Sequence, residues 1–174
     1  MTIKINYSNK LSNKSTTNLV LFADEKFNII NLKKYISSSE FSYIGDLLKT
    51  SDLKKNLLVF KINSKKKIIL ISLKKNLEIS DVENLGADFY SYINYGNKTE
   101  FLINSDSIKS NIQNFIGYFL HGLKLKSYEF NIYKSKIEKK IFLITVIGDK
   151  DKATIQNELR FKAIEEGTFF ARDL

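Results

Sequence analysis

Short apolar runs alternate with longer segments of helical periodicity along this chain, and that alternation limits the folds open to it. In the second half, a strand pattern at Glu100–Asn104 lies between helix patterns at Asp81–Asn94 and after Ser107. Such alternation favours parallel strands joined by crossover helices. Earlier, strand patterns at Asn56–Ile62 and Lys67–Leu73 are separated by only four polar residues, which predicts an antiparallel hairpin. The sequence therefore predicts an α/β protein with three layers, α/β/α, around a mixed, mostly parallel sheet.

Three further strands and two further helices complete the prediction. A continuous apolar run between polar clusters is typical of a strand covered on both faces, and Asn18–Ala23 has this pattern. The other strands are predicted at Thr2–Tyr7 and Ile141–Ile147, and the other helices from Ser39 to near Thr50 and from Asp151 to Leu174. At 174 residues the chain suits one domain, and residues 24–39 show no clear pattern.

Polar residues mark where three of these helices should begin. Ser80 and Glu83 are spaced as a capping box, and Ser107 precedes an amphipathic segment that should rest on the sheet. The apolar face predicted for that segment consists of Ile108, Ile112, Phe115, Ile116, Phe119, Leu120 and Leu123. Asp151 should cap the last helix, and Asp149 beside it should complement the helix dipole.

The last predicted helix carries an apolar stripe that needs a partner. The members of the stripe follow one another in steps of three or four: Ile155, Leu159, Ala163, Gly167, Phe170 and Leu174. The first half of the stripe should lie on the sheet, whereas Phe169, Phe170 and Leu174 should contact a further domain. Because no glycine, asparagine or proline closes the helix, we expect it to continue in a larger protein.

The chain contains no cysteine and a single histidine, His121. Disulfide bonds and zinc centres of the Cys/His kind are therefore excluded, which leaves only carboxylate ligands for a metal. The first residues lack the apolar core of a signal peptide, and the longest apolar run, Ile141–Ile147, is too short to span a bilayer. We expect a cytoplasmic protein with no membrane partner.

The net charge of +9 raises the question of nucleic-acid binding. Only Arg160 and Arg172 among the 28 basic residues are arginines, which is unfavourable for a protein that reads bases. The most basic stretch, residues 54–77, has eight lysines and no acid. Two interpretations stay open: lysines that solvate a strand edge, or a surface that contacts phosphates. The candidate nucleic-acid contacts are Lys65, Lys66, Lys67, Lys74 and Lys75.

Sequence motifs for catalysis and cofactor binding are missing. The seven glycines form neither a Gly-x-Gly-x-x-Gly fingerprint nor a Walker-type loop, so the usual backbone cradle for phosphates is lacking. The patterns His-Glu-x-x-His and Gly-x-Ser-x-Gly are also absent. We therefore predict no catalytic, cofactor-binding or metal-binding residue in this chain, and we expect the chain alone to be inactive as an enzyme.

Two segments resemble a known family. Gly122-Leu123 is followed by Tyr128-x-Phe130 and then by Tyr133-Lys134, an order and spacing that resembles the leucyl aminopeptidase (cytosol aminopeptidase) family. Glu166-Gly167, three further residues and Ala171-Arg172-Asp173-Leu174 resemble the end of the N-terminal domain in that family. The resemblance covers the last third of the chain well and the rest loosely.

The resemblance implies a role as well as a fold. It implies a macro-domain-like module, residues 1–174, that serves as the non-catalytic N-terminal domain of a metalloaminopeptidase. Members of the family are hydrolases that release N-terminal amino acids from peptides. Two zinc or manganese ions in their C-terminal catalytic domain position and activate a water. The implied partners are this catalytic domain, the other subunits of a homohexamer, and the peptide substrates of the whole protein.

Two departures from the family pattern concern single sites. His121 stands where the family usually has an acid, and we interpret it as a structural histidine at the end of its helix, favoured by the helix dipole. Many relatives have a Gly-x-Gly turn after the strand that corresponds to Lys67–Leu73, whereas this chain has Ser72-Leu73-Lys74, which would keep a ligand farther away.

The first alternative function is a nucleic-acid-binding module. The second is a stand-alone macro-like ligand-binding domain, which the glycine pattern disfavours.

Overall fold

The computed structural model describes residues 2–9, 18–97, 99–128, 140–148 and 152–174. The strands in these residues are β1 (Thr2–Ser8), β2 (Asn18–Asp24), β3 (Leu57–Lys61), β4 (Lys67–Leu73), β5 (Glu100–Asn104) and β6 (Ile141–Ile147). Their helices are α1 (Ser38–Leu48), α2 (Ile79–Tyr95), α3 (Phe115–Ser127), α4 (Lys152–Gln156) and α5 (Glu158–Asp173). Short 3₁₀ turns are formed by Ile30–Leu32 and Ser105–Ser107.

The strands of the described residues form one six-stranded sheet in the order β1-β6-β5-β2-β4-β3. Neighbouring strands are parallel, apart from β3 and β4, which pair antiparallel from Leu57 opposite Ile71 to Lys61 opposite Lys67. Crossover helices follow parallel strands in the chain: α3 lies between the neighbours β5 and β6, and α2 lies between β4 and β5, which are on either side of β2 in the sheet. The predicted fold class, an α/β protein with a mixed, mostly parallel sheet, is confirmed.

Apolar side chains pack on both faces of the sheet. On one face, Phe22 and Phe142 lie in a core that includes Phe89 of α2 and side chains of α3. On the other face, Leu70 lies in a core that includes Ile44 of α1. The central strands β2 and β4 are buried along almost their whole length because helices cover them on both sides. This arrangement gives the three predicted layers.

Helices α2 and α3 approach each other closely through two glycines. A Cβ atom on Gly86 would overlap the carbonyl oxygen of Phe119, and one on Gly122 would overlap the carbonyl oxygen of Glu83. Only glycine lets the two backbones come so near. Gly122, which belongs to the family-like segment, therefore has a packing role.

The start of α2 differs from the prediction. The N–H of Glu78 donates to the Asp81 carboxylate at 2.9 Å, so the capping box is formed by Glu78 and Asp81 and not by Ser80 and Glu83. The observed box begins two residues before the predicted one, and Glu78 with Asp81 lacks the usual Ser/Thr-x-x-Glu/Gln pattern that sequence reasoning looks for.

The start of α3 was also predicted wrongly. Ser107 lies in a 3₁₀ turn, and α3 begins only at Phe115, directly after Asn114 with a φ of 56°. Ile108 precedes the helix but is still buried in the core. The apolar spacing that predicted helix therefore identified buried and partly buried residues correctly, but it assigned the wrong backbone to the first two, Ile108 and Ile112.

The last predicted helix is two helices, α4 and α5, which are separated at Asn157. Ile155, Leu159 and Ala163 were predicted to lie on the sheet but are exposed. Phe170 and Leu174, which were predicted to contact a further domain, are exposed as well. The buried residues are instead Thr154, Phe161 and Glu165. The ring of Phe161 packs edge-on against Tyr118 of α3, with ring centroids 5.4 Å apart. The inward face was predicted wrongly because α5 rests on another helix through partly polar contacts.

The remaining strands and α1 lie within two residues of their predicted bounds. The predicted roles of Asp149 and Asp151 lie outside the described residues, as do Phe130, Tyr133 and Lys134 of the family-like segment. Within the described parts of the chain, no helix combines the length and the apolar character needed to cross a membrane.

Candidate functional site

A large cleft opens at the carboxyl ends of β2, β4 and β5. Pairing of β2 with β5 ends at Val20 opposite Ile103, whereas pairing of β2 with β4 continues to Asp24 opposite Leu73. Strand β5 therefore leaves β2 before β2 ends, and a crevice opens between them. In open α/β sheets, ligands commonly bind in crevices at the carboxyl ends of the strands.

Ser107 joins the two strands at the base of this crevice. Its buried hydroxyl accepts a hydrogen bond from the N–H of Phe22 at 3.0 Å and donates one to the carbonyl of Asn104 at 2.7 Å. The N–H of Phe22 lies beyond the last residue that pairs with β5, so the hydroxyl satisfies a buried backbone donor. This use of the hydroxyl explains why Ser107 does not cap a helix.

The turn after β2 forms one wall of the cleft. The Oδ1 atom of Asp24 accepts hydrogen bonds from the N–H groups of Lys26 at 3.0 Å and Asn28 at 2.9 Å. Phe27 between them has a φ of 54°, which is unusual for a bulky side chain, and its ring is buried in the core beneath α1. The buried ring and the Asp24 hydrogen bonds together hold this wall in place.

The cleft has a volume of about 1030 Å³ and a lysine-rich lining. Its six lysines follow the three strand ends: Lys26, Lys33, Lys34, Lys74, Lys75 and Lys109. Three acids also line it: Asp24, Glu25 and Asp106. None of the six lysines forms an ion pair with another residue of the described ranges. The cleft therefore has an excess of positive charge.

The five lysines predicted to contact nucleic acid lie in two separate groups. Lys65, Lys66 and Lys67 belong to the hairpin that enters β4, whereas Lys74 and Lys75 follow the end of that strand. The extended chain of β4 places the groups about 23 Å apart. Only the second group lines the cleft. A nucleic-acid site that used all five would have to extend across the sheet from one end of β4 to the other.

Lys66 contacts a carboxylate of the protein itself. Its Nζ atom lies 2.6 Å from Oε1 of Glu40, so the pair joins the hairpin to α1. Burial alone would raise the pKa of Glu40, but the Lys66 ammonium and the N–H and hydroxyl of Ser37 outweigh it and hold this pKa below the ordinary value of 4.5. Ser37 and Glu40 also form the capping box of α1. Lys66 therefore has a structural partner.

His121 lies in the middle of α3, not at its end as predicted. Its Nδ1 atom is 3.0 Å from Oε1 of Glu165, and Nζ of Lys124 is 3.1 Å from Oε2 of the same carboxylate. His121 and Glu165 are only 6% and 5% exposed, and the ring of Phe161 packs against the imidazole. These contacts fit a structural role, but the histidine acts by joining α3 to α5 and not through the helix dipole.

The outward face of α5 is apolar at several positions. Leu159, Phe170 and Leu174 are 81%, 68% and 93% exposed. Phe169, which was predicted to contact a further domain, instead stacks on Tyr128 of this domain, with ring centroids 5.1 Å apart. Exposed apolar side chains that share one face of a helix are typical of a surface that contacts another protein or domain.

Two further contacts hold the end of α5. The hydroxyl of Tyr128 donates to Asp173, and Nη1 of Arg172 donates to the carbonyl of Leu125 at 3.1 Å. Burial raises the pKa of Tyr128, and its hydrogen bond to Asp173 raises it further. The last turn of α5 is therefore attached to the end of α3.

Within the described ranges, no group of three or more histidine, cysteine, aspartate or glutamate side chains is placed to hold a metal ion. The sequence-based expectation of no catalytic, cofactor-binding or metal-binding residue stays a prediction. The feature that sequence reasoning missed is the cleft, because its lysines come from three loops that are distant in the chain.

Solved structures share this fold. Tomato leucine aminopeptidase, in a mutant form, superposes with a TM-score of 0.64 and 14% identity over 92% of this chain and 36% of its own. Cytosol aminopeptidase from Coxiella burnetii superposes with a TM-score of 0.56 and 13% identity over 97% of this chain and 32% of its own. The macrodomain of Thermus aquaticus DarG superposes with a TM-score of 0.55 and 8% identity over 84% of this chain and 99% of its own.

Sequence comparison adds no assignment, since no protein-family model matches and no curated protein is significantly similar. At 8–14% identity the structural likeness establishes the fold alone. The chain spans about a third of the length of the two aminopeptidases and nearly the whole length of the macrodomain. The domain thus has a macro-domain-like fold that also occurs as part of larger aminopeptidases.

Proposed function

We propose that this chain is the non-catalytic N-terminal domain of a metal-dependent leucyl aminopeptidase. The observation that carries the proposal is that 92% of the chain superposes on 36% of the tomato enzyme, which leaves most of that enzyme for other domains. The family-like segments of the sequence, at Gly122-Leu123 and Ala171–Leu174, independently favour the same family.

The outward face of α5 is the surface that we assign to the catalytic domain. Burying one exposed leucine or phenylalanine side chain contributes about 1.5–3 kcal/mol, so Leu159, Phe170 and Leu174 together can hold a neighbouring domain in place. The inner face of α5 is already in contact with α3, through Glu165 and Phe161. The domain would then help to shape access to the active site and the assembly of a homohexamer.

The chemistry in this proposal belongs to the catalytic domain. Two zinc or manganese ions there would activate a water for attack on the first peptide bond of a peptide substrate. The cleft described above takes no part in that reaction. A cytoplasmic location is part of the same proposal.

The test compares this 174-residue chain with the product of the coding sequence beyond Leu174. We expect the longer product to carry the aspartates, glutamate and lysine of a two-metal centre and to release leucine from a leucyl amide with zinc or manganese. The 174-residue chain should release none. Metal-dependent release by the short chain, in proportion to its concentration, would show that the domain is catalytic. A longer product without those metal-binding residues would exclude this family.

A further inference from the structure

We propose that the outer edge of β3 binds an extended acidic segment of another protein, which adds to the sheet as a further strand. This proposal goes beyond the function proposed above and does not depend on it. Strand β3 is last in the strand order, so one side of it pairs with β4 and the other side faces no strand of the described residues. Extended peptides bind to such edges through main-chain hydrogen bonds.

The hydrogen bonds of β3 show which of its backbone groups point outward. The carbonyl of Asn56 accepts from the N–H of Ser72 at 2.9 Å, and the N–H of Ile62 donates to the carbonyl of Lys66 at 3.0 Å. Because the direction of these groups alternates along an antiparallel strand, the even-numbered residues from 56 to 62 face β4. The groups that point away from the sheet belong to the odd-numbered residues of the strand: Leu57, Val59 and Lys61.

Most of these outward groups are open to a partner strand. The carbonyl of Lys61 accepts from the hydroxyl of Tyr43 at 3.4 Å. The N–H and carbonyl groups of Leu57 and Val59 form no hydrogen bond within the described part of the chain. The side chain of Val59 is 36% exposed, so an added strand would also cover an apolar surface. Main-chain groups supply affinity for any extended chain, and neighbouring side chains decide which chain is preferred.

The charge around this edge favours an acidic partner. Four exposed lysines flank the strand: Lys54, Lys55, Lys61 and Lys65. None of the four forms an ion pair with another described residue, in contrast to Lys66, which is paired with Glu40. Two acids near the start of β3 are already engaged: Asp52 accepts from the N–H of Lys54, and Asp88 accepts from the side-chain amide of Asn56. The edge therefore has an excess of positive charge.

The positions of the lysines define the partner further. Lys55 and Lys61 lie on either side of the outward groups and are up to about 20 Å apart along an extended chain. A segment of about seven residues spans this distance. The partner that fits has acids at both ends of such a segment and apolar residues between them, opposite Val59.

The same lysines disfavour a second copy of this chain as the partner. Two β3 edges that paired with each other would bring their lysines together, and like charges on paired strands are destabilising. Sheets commonly carry lysines on edge strands to prevent such self-pairing. Nucleic acid has the required charge, but it lacks the alternating N–H and carbonyl groups that complete a strand edge. An acidic peptide satisfies both the backbone and the charge.

The test is fluorescence anisotropy with labelled peptides at about 0.15 M salt, where charges are screened beyond about 8 Å. The probe is the peptide Glu-Glu-Val-Thr-Val-Thr-Val-Glu-Glu. In the control peptide, prolines replace the central valine and one threonine next to it. The control keeps every acid but loses an N–H that faces the edge in either register, so it cannot pair as a strand.

Two variants of the protein separate the backbone from the charge. Val59→Pro removes an outward N–H and no bond to β4, and proline is tolerated at such positions of edge strands. Lys55→Gln with Lys61→Gln removes two of the flanking charges. The matched control, Lys4→Gln with Lys126→Gln, removes the same charge from exposed lysines on α3 and on β1, which lies at the opposite edge of the sheet.

We expect the acidic peptide to bind and the proline peptide to bind at least tenfold more weakly. Val59→Pro should weaken the acidic peptide by at least tenfold, the flanking lysine variant by about fivefold, and the lysine control by less than about twofold. Equal affinity for the two peptides, or equal weakening by the two lysine variants, would mean diffuse attraction to a basic protein and would overturn the proposal. No binding of the acidic peptide would overturn it as well.

Amide hydrogen exchange measured by NMR tests the pairing without any substitution, and it decides the matter if Val59→Pro does not fold. Saturating acidic peptide should slow exchange at least tenfold at Leu57, Val59 and Lys61. Exchange at Leu58 and Phe60 should stay unchanged, because their N–H groups already bond to β4. Unchanged exchange at the three odd-numbered residues would overturn the proposal.

Two further outcomes would assign the edge to another partner. Exchange at the odd-numbered residues that slows with protein concentration, without peptide, would assign the edge to a second copy of the chain. A single-stranded oligonucleotide that displaces the labelled peptide at lower concentrations than the unlabelled peptide does would assign the lysines to nucleic acid. Either result would overturn the acidic-peptide proposal.

Discussion

Helix α3 packs against α2 and against α5 in two different ways. Toward α2 the backbones meet at Gly86 and Gly122, and apolar side chains fill the space around them. Toward α5 the contact includes Phe161 and the buried carboxylate of Glu165, which holds His121 and Lys124. The first contact depends on close fit between backbones and the second on complete pairing of polar groups. The comparison shows why apolar periodicity identified one contact and missed the other.

The largest effect should come from Gly86→Ala. The added methyl group would overlap the Phe119 carbonyl, so α2 and α3 would have to separate, and we expect a loss of about 3 kcal/mol in the free energy of unfolding. Urea denaturation measures this loss. Gly167→Ala in α5 is the control, since no atom lies within 4 Å of the added Cβ and helix propensity should stabilise by about 0.5–1 kcal/mol. If Gly86→Ala and Gly167→Ala changed the free energy of unfolding by similar amounts, close backbone fit would not be what distinguishes the α2 contact from the α5 contact.

The polar contact is tested by Glu165→Ala. This change leaves His121 buried without its partner, so we expect a loss of about 2 kcal/mol in the free energy of unfolding. The neighbouring Glu166→Ala is the control, because the Glu166 side chain is exposed and its pairing with Lys162 is loose at 3.9 Å. The control should change stability by less than about 0.5 kcal/mol. If Glu165→Ala and Glu166→Ala lowered the free energy of unfolding equally in urea denaturation, the buried carboxylate would not be what joins α5 to α3.

A smaller polar contact, between Lys66 and Glu40, extends the comparison to α1. Lys66→Ala leaves Glu40 without its ammonium and should cost about 1 kcal/mol at pH 7, whereas Lys65→Ala next to it should be nearly neutral. The folded-state pKa of Glu40 lies below its ordinary value of 4.5, so the contribution of the pair is complete above that value and is lost as the pH falls through the folded pKa. The difference in free energy of unfolding between Lys66→Ala and Lys65→Ala should therefore become smaller below about pH 4.5. If this difference stays constant down to pH 2, the ion pair with Glu40 is not its cause.

The smallest effect on stability should come from Phe170→Ser on the outward face of α5. The ring is 68% exposed, so we expect a change of less than about 0.5 kcal/mol in the free energy of unfolding. Removal of the ring should, however, reduce concentration-dependent self-association of the chain in sedimentation velocity. Ala163→Ser on the same helix is the control and should leave association unchanged. If Phe170→Ser unfolds the end of α5, the ring is an inner contact and not part of a docking face.

Local patterns determined most of the secondary structure. The apolar run at Asn18–Ala23 predicted a buried strand because a strand covered by helices has no polar face, and the short polar link after Ile62 predicted the hairpin. Alternation of strands and helices then predicted a mostly parallel sheet. These properties depend on neighbours within a few residues, so the sequence alone contains them.

The tertiary structure decided which groups meet. Lys26, Lys74 and Lys109 share one cleft because three loops end at the same edge of the sheet, and Ser107 bonds to Phe22 because β5 leaves β2 there. Likewise, α5 buries Glu165 because α3 presents His121 and Lys124 to it, a pairing that outweighs the apolar stripe on the other face. Apolar periodicity measures only how well a side chain avoids water. It carries no information about polar groups that are buried because distant residues pair with them.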